Sequence, residues 1–332
     1  MTDLSVESPE RIESLLLPLS VWTGVAALTI VAVCFAPLAT YVLMVAAFGL
    51  PHVLSELRYC DERFSARSSL PPLLIVGALV GVIAALRIAG TAGALYSSTA
   101  TLIELSLGAV LALVAALFMR RWKIAGLAVA LAFAVGVTYA PIPTFLVWAW
   151  LHNLTPLGFI AEATRGEERR RLLLTLSIFF LVLPALVATG IFHQAAFALI
   201  GFDAANGPSA FGAGTRPLGS FLAPDATLET AIPLFSAAVV AQSMHYVAVI
   251  LFLPRLLVTR AGIAQPPPLA PWPRWSWFAW GVAGIAAAGF VVYAVDYTTA
   301  RSAYSVAAAI HAWIELPVFL LALGGGFIAA HR

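Results

Sequence analysis

Residues 303–326 read AYSVAAAIHAWIELPVFLLALGGG, an apolar run interrupted by His311 and Glu315. A run of this length is sufficient for an α-helix to cross a bilayer, which takes ~20 residues. Ionisable side chains within such a run are costly, and they are usually paired or functional. The stretch therefore predicts a transmembrane helix and, within it, a place where polar chemistry enters the membrane.

The whole chain has the composition of a membrane protein. Of its 332 residues 61% are hydrophobic and 10% are charged, whereas ~25% of a soluble domain is charged. The net charge of +2 offers no basic surface for nucleic acid. We therefore exclude a soluble enzyme, a disordered protein and a nucleic-acid binder, and we predict an all-α, polytopic helical bundle forming a single transmembrane domain over 1–332. About ten apolar segments are candidate spans: 15–35, 38–57, 70–90, 98–119, 124–140, 143–161, 172–200, 228–253, 276–296 and 303–326.

The basic residues give the orientation of these spans. Arginine and lysine concentrate in cytoplasmic loops. With both termini in the cytoplasm, the outer loops carry only Arg216 and Arg301. The inner segments carry Arg11, Arg58, Arg63, Arg67, Arg120, Arg121, Lys123, Arg165, Arg169, Arg170, Arg171, Arg255, Arg260, Arg274 and Arg332. This alternation predicts an integral protein of a bacterial-type inner membrane with both termini cytoplasmic.

Histidine occurs in four polar segments within the predicted spans: GLPHVLSELRY, WLHNLTPLGF, QSMHYVAVI and HAWIELP. Two of these segments contain His-x-x-x-Glu, and residues four apart lie on the same face of a helix. The polar residues of the four segments are His52, Glu56, His152, Asn153, Gln242, His245, Tyr246, His311 and Glu315.

Helical rise places several of these groups at a similar depth. His52, His152, His245 and Glu315 lie ~9 to ~16 Å from the predicted inner ends of their helices, His311 lies at ~22 Å and Glu56 close to the inner surface. Bundle-core metal sites are built from such inward-facing histidines and carboxylates. We therefore predict a metal site whose candidate ligands are His52, Glu56, His152, His245, His311 and Glu315. The alternative is separate histidines that hydrogen-bond neighbouring helices.

Imidazole and carboxylate ligands suit iron, with copper or zinc as alternatives. The two cysteines, Cys34 and Cys60, form no CxxC motif, so thiolate clusters lack support. Tyr246 and Asn153 are the candidate catalytic residues beside the metal. Arg87 and Glu104 are expected to form an ion pair, with a role in binding a substrate anion or in a proton path as the alternative. His193, which has no polar motif around it, is expected to be structural.

Known histidine motifs restrict the enzyme class. The sequence lacks HxxxH and HxxHH boxes, HExxH, an adjacent histidine pair, GxSxG and a P-loop. The segment Gly49-Leu50-Pro51-His52 resembles a GxPH segment of the Brp/Blh membrane carotene dioxygenases, which are polytopic and hold iron with histidines. The paired histidines expected elsewhere in that family are not found in this sequence. The resemblance implies iron-dependent oxidation of a lipophilic substrate.

The leading hypothesis is a membrane metalloenzyme that performs oxidative, oxygen-dependent chemistry on a hydrophobic small molecule arriving through the lipid bilayer. The alternatives are a b-type haem protein, a transporter with a proton path, and a structural membrane subunit of a larger complex; oligomer and complex partners stay open. Two loops are also notable. The segment 202–227 is expected to be a lid or a plain connector, and the proline-rich segment 261–274 an extended inner spacer.

Overall fold

The structure is a computed structural model that describes residues 18–65, 70–95, 97–204, 207–214, 218, 227–258 and 268–325. These residues are almost entirely helical and contain no strand. In chain order the helices are α1 (Leu19–Phe35), α2 (Pro37–Phe64), α3 (Leu70–Thr91), α4 (Ser97–Phe118), α5 (Lys123–Tyr139), α6 (Pro141–Asn153), α7 (Thr155–Ala163), α8 (Gly166–Ala188), α9 (Ile191–Ile200), α10 (Leu228–Leu257), α11 (Trp275–Val295) and α12 (Tyr297–Gly324).

Seven of these helices are long and apolar enough to cross a membrane: α2, α3, α4, α8, α10, α11 and α12. Helices α1, α5 and α9 are apolar but shorter. The all-helical class is confirmed, and the long apolar helices indicate an integral membrane protein. The count of about ten spans stays a prediction, as does the cytoplasmic position of the termini, which lie outside the described residues.

Two predicted spans are broken in the structure. The segment 143–161 forms two helices, α6 and α7, with the break at Leu154. Pro156 has no N–H to donate to the carbonyl of His152, four residues earlier, so the helix is interrupted there. The hydroxyl of Thr155 donates to that carbonyl instead (2.6 Å). The segment 172–200 likewise divides into α8 and α9 at Gly190, whose φ of 78° suits glycine.

Prolines also shape the long helices. Turns of π-helix at 178–182 and 248–252 each lie directly before the turn that holds Pro184 or Pro254. A proline within a helix frees a carbonyl of the preceding turn, and a π turn absorbs the resulting mismatch. The second π turn begins three residues after His245 and therefore lies beside the predicted metal site.

Helix α12 packs against α2, α3 and α4, and α10 packs against α1, α2, α6 and α8. Two glycines permit close approaches on these contacts. A Cβ at Gly49 would lie 2.7 Å from the Tyr304 ring, and one at Gly108 would lie 2.2 Å from the Trp313 ring. Asp296 is the N-cap residue of α12, and its carboxylate accepts a hydrogen bond from the Thr299 amide (3.1 Å). Hydrogen bonds from Thr299 lower the pKa of Asp296.

Arg58 and Arg63, expected in a loop, lie on the last turns of α2 and are buried. The helix continues past the predicted end at residue 57 because these cations are neutralised within the protein. Arg63 forms a bidentate pair with Glu162 (2.7 and 2.9 Å), and Arg58 pairs with Glu62 (2.6 Å).

The proline-rich segment is held to this end of α2. Asp61 accepts hydrogen bonds from the backbone of Leu269 and Ala270 (both 2.9 Å) and from the indole of Trp272 (2.8 Å). The described part of this predicted spacer is therefore packed on the bundle. Residues 261–267 and half of the segment 202–227 lie outside the described residues, so the expected lid stays a prediction.

Candidate metal site

The six predicted ligands come together in the interior of the bundle. His52 and Glu56 project from α2, His152 from α6, His245 from α10, and His311 and Glu315 from α12. The side chains are buried, except that His152 keeps 14% of its side chain exposed. Apolar residues of the same helices surround them, including Tyr59 and Met244 in one hydrophobic cluster and Trp148 and Trp313 in another.

Three imidazoles direct their Nε2 atoms toward one point. The Nε2 of His311 lies 3.2 Å from the Nε2 of His52 and 3.2 Å from the Nε2 of His152. Nitrogens bound to one tetrahedral metal ion at 2.0–2.1 Å are about 3.3 Å apart. The spacing of these nitrogens therefore matches the spacing around a shared cation.

The other ring nitrogens explain how two of the imidazoles are oriented. The Nδ1 of His52 donates to the Phe48 carbonyl (3.2 Å), one turn earlier on α2. The Nδ1 of His152 contacts a carboxylate oxygen of Glu315. Because neutral imidazole carries one N–H, protonation at Nδ1 leaves Nε2 with a free lone pair. His52 and His152 therefore present unprotonated nitrogens to the cluster, as metal ligands must.

Glu56 completes the cluster from the α2 side. Its Oε2 lies 3.4 Å from the Nε2 of His245 and 3.7 Å from the Nε2 of His311. Ligand atoms from Glu56, His52, His152 and His311 all lie within 4.8 Å of one another. These four residues could hold one metal ion, with His245 directly beside them.

Several buried polar atoms of this site make no well-aligned hydrogen bond. They are both oxygens of Glu56, both ring nitrogens of His245, the Nδ1 of His311 and one oxygen of Glu315. Buried polar atoms are normally satisfied, and an isolated buried carboxylate is especially costly. A bound cation would stabilise the oxygens of Glu56 and the Nε2 of His245, so the donor set fits a metal ion.

Two of the six residues were predicted to lie at other depths than the rest. Glu56 was placed close to the inner surface, yet one of its carboxylate oxygens lies within 4.8 Å of nitrogens from His52, His152 and His311. His311 was placed a turn beyond the other histidines, yet its Nε2 contacts two of them. A depth counted along each helix separately leaves out the tilt between helices and the length of the side chains. Together these bring the ligand atoms to the same place although their backbones are offset along the helices.

The two predicted catalytic residues lie in different positions. The Tyr246 ring packs on the ring of His52, with centroids 4.3 Å apart, and its hydroxyl contacts the amide of Gln242. Asn153 donates to the Ala149 carbonyl of its own helix (3.1 Å). Both side chains line a cavity next to the histidines. Tyr246 therefore contacts the cluster directly, and Asn153 lies on the cavity wall.

The sequence did not identify three aromatic residues around the site. The hydroxyl of Tyr304 lies 3.4 Å from that of Tyr246. Trp313 stacks on Trp148 with centroids 5.3 Å apart. Trp148 precedes His152 by four residues, so helical spacing was an available signal for this residue. Trp313 lies two residues from both His311 and Glu315, a spacing that does not place side chains on one helix face and so gave no such signal.

The predicted ion pair is confirmed, and the structural role of His193 stays a prediction. Arg87 and Glu104 form an ion pair with an N–O distance of 2.8 Å, and Glu104 also accepts from the Trp313 indole (2.8 Å). His193 lies outside the cluster, where its Nε2 is 3.1 Å from the Ser236 hydroxyl. His193 therefore serves as a natural comparison for the clustered histidines.

A cavity of about 240 Å³ opens beside the cluster. Its wall includes all four clustered histidines, the Arg87–Glu104 pair and Tyr246, and its apolar part includes Phe145 and Trp313. A mostly apolar cavity with a few convergent polar groups is the usual form of a small-molecule site.

Comparison with protein-family models, with curated proteins and with solved structures finds no match to this chain. The resemblance of residues 49–52 to the carotene dioxygenases therefore stays a resemblance. Conclusions about function rest on the residues and geometry of the site.

Proposed function

We propose that the chain is a membrane metalloenzyme whose His/Glu cluster binds iron, or copper, and carries out oxidative, oxygen-dependent chemistry on a lipophilic substrate. One observation carries the proposal. The Nε2 atoms of His52, His152 and His311 lie close together, next to a buried carboxylate of Glu56 that makes no well-aligned hydrogen bond. Nitrogen and oxygen ligands of this kind suit iron, copper, zinc or manganese.

The geometry suggests separate roles for the two glutamates. A carboxylate oxygen of Glu56 lies within 4.8 Å of the ligand nitrogens of His52, His152 and His311. We therefore assign Glu56 as a metal ligand. Glu315 contacts the far nitrogen of His152, and we assign it to hold that ring in the metal-binding tautomer. His245 adds a fourth imidazole, either to the same ion or to a second one.

An iron or copper ion in this cluster would supply the one-electron chemistry that reaction with oxygen needs. The protein would supply position and environment. Tyr246 lies against the His52 ring and lines the cavity, so it can contact a substrate held there. The surrounding aromatic residues restrict water around the reacting groups.

The geometry gives less support to the haem alternative. Two imidazoles that bind one haem iron stand on opposite faces of a flat macrocycle. His52 and His152 instead both lie 3.2 Å from the Nε2 of His311, which leaves no gap for a macrocycle between the rings.

The test is metal content by mass spectrometry on detergent-purified protein, together with an absorption spectrum. We expect one or two equivalents of iron or copper without a Soret band. His152→Ala should lose the metal, because it removes a converging nitrogen. His193→Ala is the matched control and should keep it, since His193 lies outside the cluster.

Oxygen consumption with lipid extracts then tests the reaction class. Consumption that requires the metal and fails in His152→Ala supports the oxidative enzyme. Zinc as the resident ion would contradict oxidative chemistry, and a Soret band would support haem instead. Absence of metal from fresh, chelator-free protein would contradict the proposal and favour a proton path through the same residues.

A further inference from the structure

Arg301, counted among the basic residues of the outer loops, is a cation without an anionic partner. It lies on the second turn of α12, where it donates to the Tyr41 hydroxyl (3.3 Å) and its guanidinium carbon is 5.6 Å from the centre of the Tyr304 ring. Within the described part of the chain, no carboxylate forms an ion pair with Arg301. Arg63 and Arg87, by contrast, each pair with a glutamate.

The side chain of Arg301 lines two neighbouring cavities. One is the cavity of about 240 Å³ beside the clustered histidines, and the other has a volume of about 460 Å³. The second cavity extends to the beginning of α12, where Tyr297 and Thr298 contribute to its wall. The residues common to both cavities are Tyr41, Phe145, Ala149, Asn153, Gln242 and Arg301.

The larger cavity is polar at Arg301 and apolar elsewhere. The hydroxyl of Tyr41 and the amides of Asn153 and Gln242 line it with the guanidinium, whereas Leu146, Phe235 and Val239 form its apolar wall. No acidic side chain lines it among the described residues. It therefore offers a positive charge and neutral hydrogen-bonding groups, with room for an apolar chain.

The distance to the metal site follows from helix geometry. Arg301 and His311 are both on α12, and at about 1.5 Å per residue their backbones lie ~15 Å apart along the axis. The side chains of Arg301 and the clustered histidines line the same cavity, so a chain held at the guanidinium by its polar end can extend through this cavity to the histidines.

We propose that the two cavities form one substrate channel, in which Arg301 binds an anionic oxygen group, a carboxylate or a phosphate, at the end of a long apolar substrate whose chain extends toward the clustered histidines. This inference rests on the proposed function for its metal end. The guanidinium fork matches the geometry of carboxylates and phosphates, and charge-assisted hydrogen bonds to it are about twice as strong as neutral ones.

The partners of Arg301 distinguish a role in substrate binding from a purely structural role. The buried Arg63, which holds helices together, is neutralised by Glu162. Arg301 is half-buried, and its partners among the described residues are neutral hydroxyl and aromatic groups. A substrate anion would therefore neutralise a charge that the described protein leaves unpaired.

Binding to the full-length protein in neutral detergent tests the proposal. The probes are radiolabelled oleate, oleoyl-lysophosphatidate and oleyl alcohol, which share one chain and differ in head group. Wild-type protein should bind at least one of the two anions about tenfold or more tightly than the alcohol. The anion that binds identifies the head group as carboxylate or phosphate.

Variants assign that preference to the guanidinium. Arg301→Gln should weaken binding of the anion about tenfold and leave the alcohol unchanged. Arg301→Lys keeps the charge without the fork and should give an intermediate affinity. Arg170→Gln removes an exposed arginine elsewhere and should bind as the wild type does.

Two results would overturn the proposal: a wild-type protein that prefers neither anion over the alcohol, or an Arg301→Gln variant that weakens all three ligands equally. The first needs no variant, so it decides even if Arg301→Gln does not fold. Metal content is measured on the same samples. A protein that binds the anion but contains no metal would contradict the proposed function while leaving the role of Arg301 intact.

Discussion

Replacement of Glu315 tests whether this carboxylate acts on the metal through His152. Glu315 is 1% exposed, and one of its oxygens contacts the Nδ1 of His152 while the other makes no well-aligned hydrogen bond. Loss of a carboxylate that orients a metal-bound imidazole costs about 10- to 100-fold in metal affinity, or ~1.4 to ~2.8 kcal/mol. We expect Glu315→Ala toward the upper end of this range. Glu315→Gln should lie toward the lower end, because its amide oxygen still accepts from the ring N–H.

The assay is competition with a chelator of known affinity on purified, full-length protein. Glu104→Gln is the matched control, since it alters another buried glutamate that bonds to Trp313 and Arg87 but to no imidazole. Its metal affinity should equal that of the wild type. Unchanged affinity in Glu315→Ala would refute the orienting role. Complete loss of metal in both Glu315 variants would show that Glu315 itself binds the ion.

Two further predictions concern stability, measured by thermal unfolding in detergent. Gly108→Ala should lower the free energy of unfolding by about 1–3 kcal/mol, because its Cβ would lie 2.2 Å from the Trp313 ring; Gly77→Ala, with nothing within 4 Å, should not destabilise. Arg63→Ala should cost ~3–5 kcal/mol, because it leaves Glu162 without its bidentate partner. Arg63→Met combined with Glu162→Leu should recover much of this loss, and a double variant as unstable as the single one would argue against a stranded charge.

The His-x-x-x-Glu spacing predicted the site but not its pairing. Residues four apart share a helix face, so His311 and Glu315 were expected to act together. In the structure each glutamate instead meets a histidine of another helix, Glu315 with His152 and Glu56 with His245. The spacing therefore predicts direction along one helix, whereas the partners depend on how the helices tilt against one another.

Arg301 shows where prediction from sequence stops. As one of two basic residues in the outer loops, it indicated topology only. Its role as a cavity residue depends on lateral contacts of α12 with Tyr41 on α2 and with the wall formed by α6. Single-sequence patterns carry no information about such contacts. Composition, by contrast, is sufficient for the helical class, because only helices or closed barrels satisfy backbone hydrogen bonds in lipid.

A count of hydrogen-bond donors at the site gives the strongest argument for a cation. His52 and His152 each commit their one N–H to a partner on the far side of the ring, so both Nε2 atoms can only accept. Those two nitrogens and the Oε2 of Glu56 are the acceptors around the Nε2 of His311. Neutral His311 has one N–H for these three acceptors, and neutral His245, whose Nε2 lies 3.4 Å from the Oε2 of Glu56, can offer one more. At least one of the three acceptors is therefore left without a donor. A metal ion accepts lone pairs from all three atoms, and its positive charge also offsets the negative charge of the buried carboxylate. A network of neutral imidazoles joined only by hydrogen bonds provides neither effect in full.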